Sequence, residues 1–425
     1  MRQHRPVASL EGRTSLMQPS AAVQGTTPAG RYRASLFHGR DKVLPVTPGS
    51  AMTSTFTPSP VASGWETAAP AELGFDPAKL KAATAFAEQA ESPWPMSLYY
   101  PDGRYVGIVE WNETGPWSAI VGPVIPRGKP AGVVVRGGKV AATWGEVARV
   151  DMTFSIAKSY LAVLAGIASD DGLIAIDDPV SKTVDDPHFS GERNARITWR
   201  HLLHQSSEWE GVIFDKSDQV DHNRQIGAGA DNSRKGEKRA LKAPGTHYEY
   251  NDVRVNVLSY ALLRRFGRAL PEVLKERIMD PIGASDTWKW HGYETSWVEI
   301  GGRKVQSVPG GAHWGGGIFI SALDHARLGM LIGRNGAWNG RQLLSKGWIA
   351  DMLTPSPTNP DYGYLWWLNR GRSRFSNASE GSVFALGAGS NIIWVDPEND
   401  MVVVARWMDQ TKFNAFFGHV MAART

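Results

Sequence analysis

Strand-like sequence lies near both ends of the ordered part of this chain, with helix-like sequence between, and that arrangement leaves few folds open. Residues 131–145, AGVVVRGGKVAATWG, place two β-rich runs on either side of Gly137-Gly138. Two residues free to take positive φ between such runs predict a tight hairpin. Residues 384–407, FALGAGSNIIWVDPENDMVVVARW, hold two further strand-like runs around Asp-Pro-Glu-Asn-Asp. The intervening stretch reads mostly as helical pieces joined by polar loops. The economical solution is one antiparallel sheet built from both ends of the chain and flanked by helices. This is an α/β (α+β) fold, with a sheet domain over 66–185 and 301–425 and a mainly helical insertion over 186–300.

Composition narrows the class. With 42% hydrophobic and 21% charged residues, the chain has ample material for a globular core. No apolar run approaches the roughly 18 residues of a membrane span, so no membrane partner is expected. MRQHRPVASLEGRTSL, the first 16 residues, lacks the apolar stretch of a secretory signal, and a cytoplasmic location is expected. There are 0 cysteines, which excludes disulfides, thiolate metal sites and a cysteine nucleophile. The basic pI of about 9.1 does not point to nucleic acid. Residues 1–50 hold seven Arg/Lys against two Asp/Glu, a surplus larger than the +4 of the whole chain, so the body carries no basic excess. Residues 1–65, rich in Pro, Ser, Thr and Gly, read as a disordered basic leader. Order is expected from GWETAAPAELGFDPAKLKAATAFAEQA, where Asp76 caps a helix and Pro77 suits its first turn. The basic stretch NSRKGEKRALK reads as a solvated loop.

The chemistry-bearing stretch is TFSIAKS, residues 153–159. On a helix, Ser155 and Lys158 share a face. A lysine can take a serine's proton only as the neutral amine, and a helix start offers unpaired N–H groups to a developing oxyanion. The pair alone admits two readings, a nucleophile with its base or an ordinary helix-start serine beside a surface lysine. Its context favours the first, because it follows the hairpin, opens an unusually apolar helix and has partners downstream. KAPGTHYEYNDVRVNVLSYAL carries Tyr248 and Tyr250 just before another helical pattern, and a tyrosine there can relay a proton to a leaving group.

With SIAKS, TWRHLLHQSSEWEG, PGTHYEYND, GGGIFISALDHARLGMLI, YGYLWW and WVDPE in order, the chain over roughly residues 65–420 resembles the serine β-lactamase and penicillin-binding-protein superfamily. The likeness is to its class C-like branch, which includes family VIII carboxylesterases and 6-aminohexanoate-dimer hydrolases. The resemblance implies a β-lactamase/transpeptidase-like fold, Ser155 as nucleophile, Lys158 as its activator and Tyr250 as proton relay. Asp252 stands where the family's Tyr-x-Asn motif has asparagine. The family's Lys/His-Thr-Gly falls on Ala385-Leu386-Gly387, so Gly387 survives and the basic residue is lost. The N–H of Ala388 is implied as the second oxyanion donor beside that of Ser155. Loss of the basic residue implies a neutral ester or amide rather than a β-lactam.

Seventeen tryptophans suggest an aromatic-walled pocket. The resemblance sets Trp209, Trp314, Trp366 and Trp367 near the cleft; of the adjacent pair Trp366 and Trp367, only one can face it, and Trp366 is taken as the substrate contact. His313, in GGAHWGGG, is a further candidate for the substrate site. The chain has no G-x-S-x-G, Walker A, G-x-G-x-x-G or H-E-x-x-H. His201 and His204 have i, i+3 spacing, but no metal and no cofactor is expected. The sum is a metal-independent serine hydrolase, carboxylesterase or amidase, working through an acyl-enzyme on a small ester or amide. The alternatives are a non-catalytic penicillin-recognising or sensory relative, and a β-lactamase or D-amino peptidase. Oligomeric state is not readable.

Overall fold

The computed structural model describes residues 64–425 except 228; the leader expected over 1–65 lies almost wholly outside the described residues. Helix α1 (Pro77–Gln89) opens as its sequence requires, with the Asp76 carboxylate accepting from the N–H groups of Ala78 and Lys79 at 2.9 and 3.1 Å. The expected hairpin follows as β1 (Ala131–Arg136) and β2 (Lys139–Trp144), turning through Gly137 and Gly138 at φ 58° and 82°. Helix α2 (Ile156–Asp170) is buried continuously from Ile156 to Ala168, so it is a central helix rather than an amphipathic one. Helix α3 (Asp252–Phe266) is capped by Asn251 and stopped at Gly267, whose φ of 66° a glycine adopts without strain.

Strand β3 (Gly317–Ile320) leads into α4 (Ala322–Gly333), and the C-terminal region supplies β4 (Trp367–Leu368), β5 (Val383–Gly387), β6 (Asn391–Asp396), β7 (Met401–Arg406) and helix α5 (Phe413–Ala422). The main sheet is antiparallel with order β4-β5-β6-β7-β1-β2. The last strand of the chain therefore pairs with the first, Val403 opposite Val134, as the sequence pattern predicts. Every residue of β6 and β7 is buried, which requires cover on both faces. Helix α4 packs on β6, β7 and β1, and α5 packs on α1 and sets Phe417 against Trp394 at 4.5 Å.

Two details differ from expectation. The region 186–300 carries short strand pairs as well as helices, and Lys289–His291 joins β3 and Asp151–Met152 in a second antiparallel sheet. Nor is that region a separate body: α3 packs on α2, and residues 64–425 fall in one compact unit.

Candidate active site

Ser155 is presented by a strained turn. The chain leaves Asp151–Met152, whose carbonyl at Met152 accepts from the buried Arg406 guanidinium at 2.8 Å, and reverses at Phe154 with φ 51°. A left-handed conformation is costly for a bulky residue. Here it is held by edge-on packing of Phe154 against Trp94 and Trp407, at 5.4 and 6.1 Å. The result is that Ser155 is the only residue between 151 and 168 that is not buried.

One turn into α2, Lys158 is 1% exposed and its Nζ donates to Ser155 Oγ at 2.9 Å. The same ammonium is ion-paired with Asp252 Oδ1. Asp252 opens α3, where Asn251 takes the capping role and Asp252 is free to point at α2. Its other oxygen meets Arg224 at 2.7 Å and His313 Nδ1 at 3.2 Å. Burial alone would raise the Asp252 carboxyl; Lys158, Arg224 and His313 together hold it well below the usual range. A carboxylate beside an amine favours the amine's charged form, but this one divides its charge among three cations.

The network continues inward. His313 Nε2 meets Glu113 Oε1 at 2.7 Å; Lys235 bridges Glu113 and Asp221 at 3.0 and 3.3 Å; Asp221 returns to Arg224 at 3.3 Å. Burial would depress the imidazole of His313, but Glu113 and Asp252 raise it, and Glu113 is in turn held below its ordinary value by His313 and Lys235 against the push of burial. Three carboxylates, Asp252, Glu113 and Asp221, thus face Lys158, Lys235, Arg224 and His313. Glu113, Asp221 and His313 are the one group with metal-ligand spacing among the described residues, and the Lys235 ammonium already sits between its two carboxylates.

Tyr250 is reached differently from expectation. Lys158 Nζ and the Arg224 guanidinium lie over its ring face, at 4.9 and 5.2 Å, and the ring stacks on Trp367 at 5.9 Å. Its hydroxyl makes no hydrogen bond to Ser155 or Lys158 among the described residues. The segment holding it is clamped by Gln205, which accepts the Asn251 N–H at 2.8 Å and donates to the Tyr362 hydroxyl at 3.0 Å.

The third motif closes the other side. Gly387 ends β5 so close to the Ser155 turn that a Cβ there would lie 2.2 Å from the Thr153 carbonyl oxygen. This approach brings Ala388 beside the start of α2. Neither the Ser155 N–H nor the Ala388 N–H donates a hydrogen bond among the described residues. Above the pair runs Gly311, whose absent Cβ would sit 3.4 Å from Lys158 Nζ and 3.8 Å from Ser155 Oγ.

The tryptophan expectations need correction. Trp209, Trp314 and Trp366 are 1%, 0% and 0% exposed, so none offers a surface to substrate. The Trp209 indole N–H donates to the His188 carbonyl at 2.7 Å, and that of Trp314 to Glu113 at 2.5 Å. Of the adjacent pair it is Trp367 that touches the site, through Tyr250. His313 does reach the site, but as a buried partner of Asp252 rather than a pocket wall. His201 is spent on the cap of its own short helix, accepting the Thr198 N–H at 3.2 Å. The basic stretch is not the solvated loop its composition predicts: Lys235 is buried in the network and Arg239 pairs with Glu208 and Glu249 at 2.5 and 2.7 Å. Sequence reasoning missed Arg224, Glu113, Asp221 and Lys235. The basic run over 232–242 was a local signal for Lys235 alone.

The fold is that of several solved structures. EstCE1, "a hydrolase with promiscuous acyltransferase activity", is 14% identical, with 81% of this chain and 98% of that one covered at a TM-score of 0.52. A penicillin-binding-protein homologue from Caulobacter crescentus is 14% identical over 76% and 98% of the two chains, with a TM-score of 0.51. A beta-lactamase from Mycobacterium bovis is 21% identical over 69% and 94%, with a TM-score of 0.49. No curated protein matches the chain. The beta-lactamase family model matches residues 124–414. The chain therefore belongs to the beta-lactamase family, a family of serine hydrolases, and its fold is the β-lactamase/transpeptidase type expected from the sequence. Among the described residues no helix is long and apolar enough to cross a membrane.

Proposed function

We propose that the protein hydrolyses an ester, or secondarily a small amide, through a covalent acyl-enzyme on Ser155. The observation that carries this reading is the buried Lys158 Nζ at 2.9 Å from the Oγ of Ser155, a residue only partly buried. That line serves proton transfer in either direction. With the amine neutral, the hydroxyl donates to Lys158 as Oγ attacks the carbonyl carbon. Asp252 then stabilises the ammonium that forms, much as a triad carboxylate stabilises its imidazolium. The oxyanion is received by the free N–H groups of Ser155 and Ala388. The proton then passes from Lys158 through the Tyr250 hydroxyl, which has no other hydrogen bond among the described residues, to the leaving group, and Lys158 is left neutral. Water attacks the acyl-enzyme with Lys158 again as base, and serine is regenerated. The reported character of EstCE1 supports acyl transfer to an alcohol as a side reaction of the same intermediate.

The test is a panel of p-nitrophenyl esters, linear amides and a cephalosporin, assayed on the wild type and on Ser155→Ala and Lys158→Ala. Ester turnover is expected, with a loss of roughly 10⁴-fold or more in each variant. A folded wild type inert towards the whole panel would favour the non-catalytic relative. Full activity in Ser155→Ala would discard the site.

A further inference from the structure

Arg374 has no role in the chemistry above. It lies in the loop between β4 and β5, with its guanidinium carbon 3.6 Å over the Trp367 ring. Trp367 in turn stacks on Tyr250 and meets Tyr362 edge-on at 4.7 Å. Among the described residues Arg374 makes no hydrogen bond and no ion pair, and its Nε is buried without a partner. Asp361, whose charge it feels, accepts from the Ser373 hydroxyl at 2.7 Å rather than from the guanidinium. Burial pulls the guanidinium's proton affinity down, the direction expected of a cation short of both water and counter-ion.

The loop that carries Arg374 is built to hold it. Asn369 donates to the carbonyls of Phe375 and Ser379 at 3.0 and 2.9 Å and accepts the Phe375 N–H at 2.9 Å. Phe375 is anchored against Phe384 and Phe417, each at 4.9 Å. A guanidinium left unpaired on a rigid loop, one aromatic ring from a residue of the reactive site, is a preorganised receptor for an anion. Meanwhile Ala385, where the family carries its basic residue, is 1% exposed and apolar.

We propose that Arg374 binds a carboxylate on the substrate, so that the preferred ester or amide is anionic rather than neutral. This rests on the hydrolase reading and names its substrate class. The guanidinium, held over the Trp367 ring, takes the carboxylate through its two terminal nitrogens, and Tyr250 and Trp367 form the wall between that anion and the scissile bond.

Matched pairs of esters test it: mono-p-nitrophenyl glutarate against p-nitrophenyl pentanoate for an acyl-side carboxylate, and 4-carboxyphenyl against phenyl pentanoate for the leaving-group side. The wild type is expected to favour the anionic member of at least one pair by about 10- to 100-fold in kcat/KM, mainly through KM. That ratio is expected to fall to near unity in Arg374→Gln and to be partly kept in Arg374→Lys, which preserves charge but not the fork. Binding of monomethyl glutarate to Ser155→Ala, followed by tryptophan fluorescence, supplies a readout independent of turnover and is expected to weaken by about tenfold or more when Arg374→Gln is added. Turnover of both ester types without preference, unchanged in Arg374→Gln, would overturn the anion site and leave the hydrolase intact. Arg374-dependent binding without any turnover would do the reverse.

Discussion

The character of Asp252 decides how the reactive pair works. Among the described residues it is the one carboxylate paired with Lys158, and it also satisfies Arg224 and His313. Asp252→Asn restores the family's residue but strips the anion from three buried cations. The expected cost is roughly 3–5 kcal/mol in urea unfolding, with the acid limb of the pH–rate profile moved to lower pH because an uncharged neighbour holds the ammonium less firmly. An acid limb that stays in place would remove Asp252 from any role in tuning the lysine. Gly311 offers a gentler probe. Its added methyl would meet Lys158 Nζ at 3.4 Å and Ser155 Oγ at 3.8 Å, ordinary contact distances, so Gly311→Ala is expected to fold with stability within about 0.5 kcal/mol. Turnover should nevertheless fall by roughly 10- to 200-fold, as a methyl-sized intrusion at a reacting centre does; an unaltered kcat/KM would mean that substrate approaches from another side. At this scale the sequence was legible where spacing is local. Ser155 and Lys158 are one turn apart, and any helix brings them together. Glu113, Arg224 and Lys235 reach Asp252 or its partners from segments far apart in the chain, and no window of sequence contains that geometry. The tryptophans misled because composition counts aromatic rings without saying which are buried, as Trp209, Trp314 and Trp366 are.

Among the elements, the approach of β5 to α2 controls the oxyanion side. Gly387 is required by distance rather than by φ, since a Cβ would stand 2.2 Å from the Thr153 carbonyl oxygen. Gly387→Ala must push the end of β5 off the Ser155 turn. A loss of about 1–3 kcal/mol is expected from that overpacking, together with a fall in kcat much larger than any change in KM, because the Ala388 N–H moves away from the transition-state oxygen. Equal falls in kcat and KM would argue instead for a general disturbance of the fold. The strands themselves were readable because their signals are short-range: Gly-Gly between β-rich runs, Asp-Pro-Glu-Asn-Asp between two more. What was not readable is that residues 186–300 form no separate body. Helix α3 packs on α2 through apolar faces that look alike whether they bury within an insertion or against the sheet domain.

For the molecule as a whole, the buried ionic network predicts how stability follows pH. Burial pushes Glu208 up, but Arg239, Arg254 and the Lys242 N–H bring it down to about 2, and Asp252 and Glu113 are held low for similar reasons. Groups whose folded value is depressed stabilise the fold above their ordinary value near 4.5, and that contribution is lost as pH falls towards about 2. His313 is raised, so its contribution is complete below its ordinary 6.5 and lost as pH rises through the higher folded value. The difference in thermal midpoint between the wild type and His313→Gln is therefore expected to be largest below about pH 6.5 and to shrink as pH rises above it. A difference that stays constant across that range would show that His313 is not held protonated by Glu113 and Asp252. The central claim, that Ser155 is made reactive by Lys158, is tested most directly by intact-protein mass after exposure to a fluorophosphonate. The account predicts one adduct per chain, mapped to Ser155, absent in Ser155→Ala and formed far more slowly in Lys158→Ala. An adduct on another residue, or an equally fast one without Lys158, would contradict it.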